Sequence, residues 1–465
     1  MSERIVVVGG GITGLSTAYY LQKKARAAGR EPEIILVEKS DRLGGKVQTD
    51  HERGLIIEAG PDSFLARKAW LSELCKELGL PLVGTRPNLN RTYIWHKGRL
   101  VPLPLGMQIM IPTKWVPFLT TPLISWRGKL RAGFDLLHRK GTKDGDQSMG
   151  SFVRRHFGTE VLDRVAAPML GGIYAGDPYE MSLEATFPMF LSMEKKYGSL
   201  LLGARKSAPP KGPTGSAFVT VANGLRSIID ALVAALPTVQ YRMNTGVTSI
   251  QPRSGGKGYK VALSDGSTLD ADVVMLGAPG FVSAGLLSDL APEVARELGE
   301  IPYNSAVVVS LGYRVEDVPR PLDGSGFLVP KGEPLDITAS TWVTTKWPHT
   351  GQGDLALIRG YLGRAGERDW CLSSDDEILS AAKRDLKTTM GITADPVLYR
   401  INRWPDGLPQ YKVNHLRKAE RIDAHMEKVP GLYLAGAAFR GAGLPDCVRE
   451  GEEATDRVAR YLGWT

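Results

Sequence analysis

Three glycines near the N-terminus, Gly9, Gly11 and Gly14, form the pattern G-x-G-x-x-G. They follow a short apolar run, R-I-V-V-V, and open a segment whose apolar side chains recur at helical spacing. Between a strand and a helix, such glycines permit a tight turn and close approach of the backbone to a pyrophosphate. Glu38 ends the next apolar run, where a carboxylate can accept hydrogen bonds from a ribose, whereas an NADP site would carry a positive group there. These residues predict a dinucleotide site at a helix N-terminus.

Further glycine-rich segments extend this pattern. Residues 38–46, E-K-S-D-R-L-G-G-K, resemble the E-x-x-x-x-x-G-G-[RK] signature of the flavoprotein superfamily that includes amine oxidases and phytoene desaturases. Residues 58–64, E-A-G-P-D-S-F, resemble the loop that approaches the isoalloxazine ring in that superfamily, and residues 435–451 resemble its C-terminal FAD motif. The resemblance implies FAD as the cofactor. The alternative for Lys46 is a solvated surface lysine, and the alternative for Asp446 is a helix cap.

The resemblance also places an aromatic residue, Trp404, beside the flavin, although an ordinary packed tryptophan is equally consistent with the sequence. The predicted cofactor-binding residues are Gly9, Gly10, Gly11, Ile12, Thr13, Gly14, Glu38, Lys39, Gly44, Gly45, Lys46, Gly60, Pro61, Asp62, Ser63, Val247, Trp404, Gly436, Ala442, Gly443 and Leu444.

Five motifs spread along the chain resemble the Gram-positive type of porphyrinogen oxidase, a group generally described as coproporphyrinogen III oxidases. They are G-G-G-I-T-G-L at the start, G-P-D-S-F-L-A-R-K at 60–68, G-G-I-Y-A-G-D at 171–177, K-W-P-H at 346–349 and G-L-P-D-C at 443–447. The resemblance implies oxygen-dependent, six-electron oxidation of coproporphyrinogen III to coproporphyrin III in heme biosynthesis, with release of hydrogen peroxide. Protoporphyrinogen IX oxidation is the alternative substrate assignment. An amine oxidase and a non-catalytic flavoprotein are the alternatives from other classes.

A porphyrinogen is a large apolar macrocycle with propionate arms, so its pocket should be apolar and bordered by a few cations. Lys68 matches a lysine implicated in substrate binding by the resemblance, and Arg91 is a second candidate, while a solvated charge is the alternative for both. No side-chain dyad is needed to remove a hydride, so we predict no catalytic residue beyond the cofactor. The sequence likewise predicts no metal site, because its three cysteines are far apart and include no C-x-x-C pair.

The elements that would position these residues divide the chain into three parts. Strand, helix and strand over residues 4–38 form a βαβ unit, residues 100–137 indicate a helical lobe, and short β runs recur over 239–276 and 305–362. We therefore predict an α/β protein with a Rossmann-type FAD-binding domain, a β-rich substrate domain and an inserted helical lobe. The predicted domains are 1–62 with 215–280 and 400–465 for FAD, 63–88 with 180–214 and 281–399 for substrate, and 89–179 for the helical lobe.

Composition limits the remaining functions. The chain of 465 residues has 43% hydrophobic and 23% charged residues, typical of a globular protein, and its formal charge of +8 favours anionic ligands. No nucleic-acid motif accompanies that charge. The N-terminus lacks the pattern of an export signal, and no apolar stretch is long enough to cross a bilayer. We predict a cytoplasmic protein with peripheral membrane contact through residues 101–126, for which burial in an internal core is the alternative, and transient contact with the next heme-pathway enzyme. The oligomeric state stays open.

Overall fold

The structure is a computed structural model that describes residues 2–87, 89, 91–108, 110–137, 145–206, 215–351 and 353–464. The sequence of residues 205–215 indicates a variable loop, and most of this segment lies outside the described residues.

A parallel five-stranded sheet forms the centre of the first domain. In spatial order its strands are Gln240–Arg242, Glu33–Val37, Arg4–Val8, Val273–Leu276 and Leu432–Leu434. The three central strands are almost fully buried, as expected for a parallel sheet covered on both faces. The predicted Rossmann-type unit is confirmed.

Helices cover one face of this sheet and share one apolar core with it. They are Ile12–Ala27, Ala69–Glu77, Arg226–Ala234 and Leu444–Leu462. A small antiparallel sheet joins the same core through Phe64–Leu65, Phe218–Val221 and Leu82–Gly84. The first and last helices pack closely enough that a Cβ at Gly451 would lie 2.8 Å from the Thr17 hydroxyl oxygen. The C-terminus therefore folds back onto the N-terminal unit, as predicted.

A β meander and three helices lie on the other side of the sheet. The meander strands are Val247–Pro252, Tyr259–Leu263 and Thr268–Ala271, and the helices are Gly280–Leu287, Pro292–Gly299 and His415–Met426. A hairpin of Thr49–Glu52 and Leu55–Glu58 leads from the FAD-binding domain into the rest of the chain.

The second domain is built on a seven-stranded sheet. Its strands, in spatial order, are Leu398–Pro409, Tyr303–Arg314, Leu355–Leu362, Ile337–Trp342, Gly326–Leu328, Tyr93–His96 and Arg99–Pro102. Helix Asp375–Met390 covers one face, beginning at a capping box of Ser374 and Glu377 and ending at Gly391 in the left-handed conformation. The opposite face is turned toward the helical lobe, because Ile94 and Leu328 from that face pack into the core of the lobe.

The helical lobe has a separate core of its own. Its helices are Trp115–Thr120, Trp126–Gly133, Met149–Phe157, Thr159–Val161, Ala167–Tyr174, Leu183–Thr186, Pro188–Tyr197 and Leu200–Lys206, with a π-helical turn at Leu162–Ala166 and a hairpin of Met107–Gln108 and Ile111–Pro112. Phe118, Leu123, Phe152, Leu162 and Phe190 are among its buried members.

The structure differs from the predicted domain boundaries in four places. Residues 64–84 were assigned to the substrate domain but pack into the core of the FAD-binding domain. Strand Leu398–Pro409 pairs with Tyr303–Arg314, so residues 400–409 belong to the substrate sheet rather than to the FAD-binding domain. Strands Tyr93–His96 and Arg99–Pro102 also join that sheet, although they were assigned to the helical lobe. Conversely, residues 183–206 are helical and pack with the lobe rather than with the substrate domain. In each case the strands or helices that a segment packs against determine the domain to which it belongs.

Candidate cofactor site

The first helix begins at an N-terminus that no side chain of its own caps. Gly11 is the N-cap, in extended conformation, and the first turn contains no acidic residue. A Cβ at Gly11 would meet no atom within 4 Å, so open space lies beside this helix end. Unpaired N–H groups and the positive end of the helix dipole favour an anion there. This geometry fits a pyrophosphate.

The flanking glycines serve the turn itself. Gly9 has φ of +102°, and a Cβ at Gly14 would lie 1.9 Å from the Gly9 carbonyl oxygen. Only a residue without a Cβ allows the helix to leave the strand this closely. Gly9 and Gly14 therefore shape the turn, whereas Gly11 leaves room for a ligand.

Glu38 marks the adenosine end of the predicted site. Its carboxylate accepts hydrogen bonds from Gly10 N at 2.6 Å and from Ser40 N at 2.9 Å. The Ser40 hydroxyl also donates to it, at 2.8 Å. A carboxylate has about four lone-pair sites, so about one remains for a ribose hydroxyl. Thr245 N donates to the Glu38 carbonyl oxygen, which brings strand Val247–Pro252, and thus Val247, to this end.

The segment 44–46 continues the site away from Glu38. Gly44 N donates to the Gly10 carbonyl oxygen at 2.8 Å, and Gly44 and Gly45 both have positive φ. The Lys46 side chain is solvent accessible, yet the surrounding protein lowers the pKa of its ammonium group by desolvation. Both facts together place Lys46 in a deep cleft. Within the described part of the chain, no carboxylate lies within ion-pair distance of it.

Residues 58–63, which we call the flavin loop, adjoin this cleft. A Cβ at Gly60 would lie 2.2 Å from the Lys46 carbonyl oxygen, so the two segments are in direct contact. The Trp404 indole N–H donates to the Ala59 carbonyl oxygen at 3.0 Å. Trp404 therefore anchors the loop from the substrate sheet.

The C-terminal motif closes the cleft from the side of the first helix. A Cβ at Gly436 would lie 3.6 Å from Thr13 Oγ1, and Gly443 caps the last helix without a side-chain hydrogen bond. Cys447 lies in the first turn of that helix, where burial raises the pKa of its thiol to about 11. The last helix therefore presents a second uncapped N-terminus near the first.

The predicted cofactor residues thus occupy one continuous region. Glu38 would bind one end of a dinucleotide and Gly11 would adjoin its pyrophosphate, so the other half would extend past Lys46 and Gly60 toward Gly436. Ile12 and Thr13 form the first turn of the first helix, Lys39 follows Glu38, Pro61, Asp62 and Ser63 belong to the flavin loop, and Ala442 and Leu444 flank Gly443. The site fits FAD, and these residues would hold it.

Tyr411 and His415 are functional candidates that sequence reasoning missed. The Tyr411 hydroxyl donates to the Ala437 carbonyl oxygen at 2.5 Å and accepts from Gly441 N at 2.9 Å. His415 stacks on Tyr411 and donates from Nε2 to the carbonyl oxygen of Phe439 at 2.8 Å. Burial lowers the pKa of His415 to about 4, so its imidazole is neutral. These two side chains fix the loop that carries Gly436.

The two predicted substrate-binding cations are in different places. Lys68 pairs with the buried Asp446 at 2.5 Å, which joins the start of helix Ala69–Glu77 to the first turn of the last helix. Asp446 is therefore an ion-pair partner rather than the helix cap. Arg91 is 58% exposed and pairs with Asp323, which also accepts from the Tyr93 hydroxyl. Since Tyr93 packs on the same face as helix Asp375–Met390, the structure does not bring Arg91 toward the cleft.

The cleft, its two uncapped helix ends and the parallel sheet define a dinucleotide-binding oxidoreductase of the flavoprotein class. The family described as flavin containing amine oxidoreductase matches residues 12–459. The chain belongs to this family. The predicted flavoprotein identity and its FAD cofactor are confirmed at this level.

The similarity to individual proteins extends over the whole chain. It is 38% identical to the coproporphyrinogen III oxidase of Bacillus subtilis, over 99% of this chain and 98% of that protein. It is 36% identical to the coproporphyrinogen III oxidase of Staphylococcus aureus, over 99% of this chain and 100% of that protein. A solved structure of a "putative protoporphyrinogen oxidase" from Exiguobacterium sp. 255-15 is 34% identical, with a TM-score of 0.89, and covers 100% of this chain and 99% of that one.

Proposed function

We propose that this protein oxidises coproporphyrinogen III to coproporphyrin III in heme biosynthesis, with dioxygen as the electron acceptor and hydrogen peroxide as the second product. The observation that carries the proposal is the similarity to coproporphyrinogen III oxidases over 99% of the chain. The reaction balances: six electrons and six hydrogens leave the macrocycle, and three dioxygen molecules become three hydrogen peroxide molecules. Protoporphyrinogen IX is the alternative substrate, supported by the Exiguobacterium structure.

FAD supplies the two-electron oxidation chemistry when bound. The chain must bind the macrocycle, orient one methylene bridge and exclude competing reactants. Tyr361 and Tyr174 are suited to this task, because both side chains are only half-buried although desolvation by surrounding protein raises the pKa of each phenol, that of Tyr174 to about 12. Such residues line an interior cleft. Ile173, which precedes Tyr174 in the same helix and is 54% exposed, adds apolar surface.

Anaerobic mixing tests this proposal and its alternatives together. We expect coproporphyrinogen III to bleach the absorbance of bound FAD, and readmitted oxygen to restore it with formation of peroxide. Bleaching by amines but not by porphyrinogens would establish an amine oxidase. No bleaching by either would indicate a non-catalytic flavoprotein. A higher kcat/KM for protoporphyrinogen IX would reverse the substrate assignment.

We also propose that Lys68 contributes to recognition of a propionate. Coproporphyrinogen has four propionates and protoporphyrinogen two, so Lys68→Ala should reduce kcat/KM more for the former, by about tenfold if one charge-assisted hydrogen bond is lost. Asp446→Asn is the matched variant, because it releases the Lys68 cation from its ion pair. Equal losses for both substrates in Lys68→Ala would assign the lysine to the ion pair with Asp446 alone. Propionate binding by Arg91 stays a prediction. The position of Arg91, away from the cleft, does not support it.

The helical lobe suggests peripheral contact with an anionic membrane surface. Exposed apolar residues recur at helical spacing at Trp126, Leu130, Phe134 and Leu137, each at least 60% exposed, with Arg127 and Arg131 beside them. The sole acidic residue of segment 101–137, Asp135, is buried. Part of the predicted segment 101–126 is instead internal, since Phe118, Leu123 and Ile124 are core residues.

No helix among the described residues is long and apolar enough to span a membrane. We expect recovery without detergent, together with salt-sensitive binding to vesicles containing anionic lipid. Leu130→Glu should reduce this binding, whereas Leu372→Glu, at an 87% exposed leucine outside the lobe, should not. Equal binding by both variants would contradict the proposal, as would a requirement for detergent. At the cytoplasmic side of a membrane, the product would pass to the next heme-pathway enzyme by transient contact.

A further inference from the structure

A fully buried arginine reaches the flavin loop from the substrate sheet. Arg359 lies in strand Leu355–Leu362, and its side chain is 1% exposed. Its Nη2 donates to the Gly60 carbonyl oxygen at 2.6 Å, across 299 residues of sequence. The loop it holds is the one that contacts Lys46 in the cofactor cleft. Nothing in the predicted chemistry makes use of this guanidinium.

Arg359 belongs to a buried group of charges that includes Asp62 of the flavin loop. Asp62 Oδ2 lies 3.6 Å from Arg359 Nη1 and 3.5 Å from Lys346 Nζ. The Asp62 and Lys346 side chains are only 14% and 17% exposed. Both cations keep the pKa of the Asp62 carboxyl at about 2, despite its desolvation. Two basic side chains, Arg359 and Lys346, therefore share the single carboxylate of Asp62.

The remaining polar atoms of this group face a small cavity. Arg359 Nε and Nη1, Trp347 Nε1 and Asp62 Oδ2 have no hydrogen-bond partner among the described residues. The cavity is lined by these residues and by Glu58 and His349. A buried arginine whose N–H groups lack hydrogen-bond partners destabilises the folded protein unless its charge interacts with another group. Asp62 offsets only one of the two positive charges of Arg359 and Lys346, so one positive charge remains in excess.

We propose that Arg359 is the positioning residue of the flavin loop and that the Arg359 and Lys346 cations together raise the reduction potential of bound FAD. The hydrogen bond to Gly60 sets the position of the loop that walls the cleft. The excess positive charge, in a region with little water, favours the more negatively charged reduced state of the cofactor. A higher potential makes electron transfer from substrate more favourable. The proposal rests on the proposed function only for that last consequence.

Three variants separate the hydrogen bond from the charge. Arg359→Lys keeps a cation but shortens the reach to Gly60, so the FAD Kd should rise about tenfold, the cost of one charge-assisted hydrogen bond, with little change in potential. Lys346→Gln removes one cation and leaves the Gly60 contact, so the potential should fall with little change in Kd. Arg359→Met should show both effects. Arg403→Met is the matched control, because Arg403 also donates to a carbonyl, that of Ser373, but on the side of helix Asp375–Met390.

The FAD Kd of each variant is measured by fluorescence as FAD is titrated into the protein. The reduction potential is measured on the FAD-loaded variant by anaerobic redox titration against a dye at pH 6. An unchanged potential in Lys346→Gln would overturn the electrostatic part, and an unchanged Kd in Arg359→Lys would overturn the positioning part. If Arg359→Met does not fold, Arg359→Lys and Lys346→Gln still test the two parts of the proposal. Neither readout uses a porphyrinogen. Failure of the substrate assignment is therefore distinguishable from failure of this inference.

Discussion

Gly11 is the N-cap of the first helix and Gly14 lies in its first turn, but the two glycines meet different surroundings. Space beside Gly11 is open, whereas a Cβ at Gly14 would strike the Gly9 carbonyl oxygen. The same substitution at the two positions should therefore act in different ways. At Gly11 it competes with the ligand, and at Gly14 it disrupts the protein.

We expect Gly11→Val to fold with near-normal stability and to purify without flavin, because the branched side chain fills the pyrophosphate space. Gly14→Val should destabilise the fold by several kcal/mol, about the cost of a severe backbone clash. Flavin content and thermal unfolding of each variant measure the two effects. Gly299→Val, at an exposed glycine with free space, is the control. Full flavin content in Gly11→Val would show that the N-terminal site is misassigned.

Cys447 is the cysteine nearest the predicted cofactor. It is buried, and the pKa of its thiol is raised to about 11, so little reactive thiolate is present at neutral pH. We expect noncovalent FAD. Acid precipitation should release all yellow colour into the supernatant, and colour retained in the pellet would indicate a covalent bond.

At the scale of elements, the helical lobe depends on a buried polar network. Asp135, which is 1% exposed, accepts hydrogen bonds from Leu201 N at 2.9 Å and Ser199 Oγ at 2.6 Å, and pairs with His156 Nδ1 at 2.5 Å. These partners keep the pKa of the Asp135 carboxyl below its ordinary value. One carboxylate thus ties together the turn after Gly133, helix Met149–Phe157 and the start of helix Leu200–Lys206.

Asp135→Asn should therefore destabilise the protein by about 3 kcal/mol, since the amide cannot accept all these bonds and the paired histidine loses its carboxylate. Flavin content should be unchanged, because the lobe has its own core. Denaturant unfolding measures the loss. Asp163→Asn, at an exposed carboxylate of the same lobe, should change stability by less than about 0.5 kcal/mol. A similar effect of both variants would contradict the assignment.

At the scale of the whole molecule, Glu58 links pH to stability. It is the first residue of the flavin loop, is buried beside the helix that begins at Arg226, and accepts hydrogen bonds from Leu225 N and Thr49 Oγ1. Burial raises the pKa of its carboxyl from 4.5 to about 7. Below pH 4.5 the group is protonated in both states. Between about 4.5 and 7 only the folded state keeps the proton, so its contribution to stability is lost as pH rises.

Glu58→Gln should remove this dependence, because glutamine resembles the protonated acid at every pH. The difference in unfolding free energy between variant and wild type should change by up to about 3 kcal/mol between pH 4.5 and 8. The variant should be the more stable one at the alkaline end. Urea unfolding of both proteins across this range provides the comparison, and parallel curves would show that Glu58 does not titrate in it.

The sequence alone determined the cofactor motifs, the flavoprotein family and the Rossmann-type unit. Turns that approach a pyrophosphate need glycines at fixed local spacing, and Gly9, Gly11, Gly14 and Glu38 lie within one βαβ unit. A site formed by residues close together in the sequence can therefore be predicted without the tertiary structure. The apolar pattern of residues 100–137 also indicated a helical lobe. It did not indicate which part of that lobe is exposed.

Tertiary structure alone decided which residues support these motifs. Arg359 meets Gly60 across 299 residues, and Lys68 meets Asp446 across 378. The sequence around a buried arginine or a paired lysine does not reveal its partner. Strand Leu398–Pro409 likewise reads as a strand in either domain, and only its hydrogen bonds to Tyr303–Arg314 place it in the substrate sheet. Contacts between distant segments follow from the packing of whole elements, and this packing is what local patterns leave undetermined.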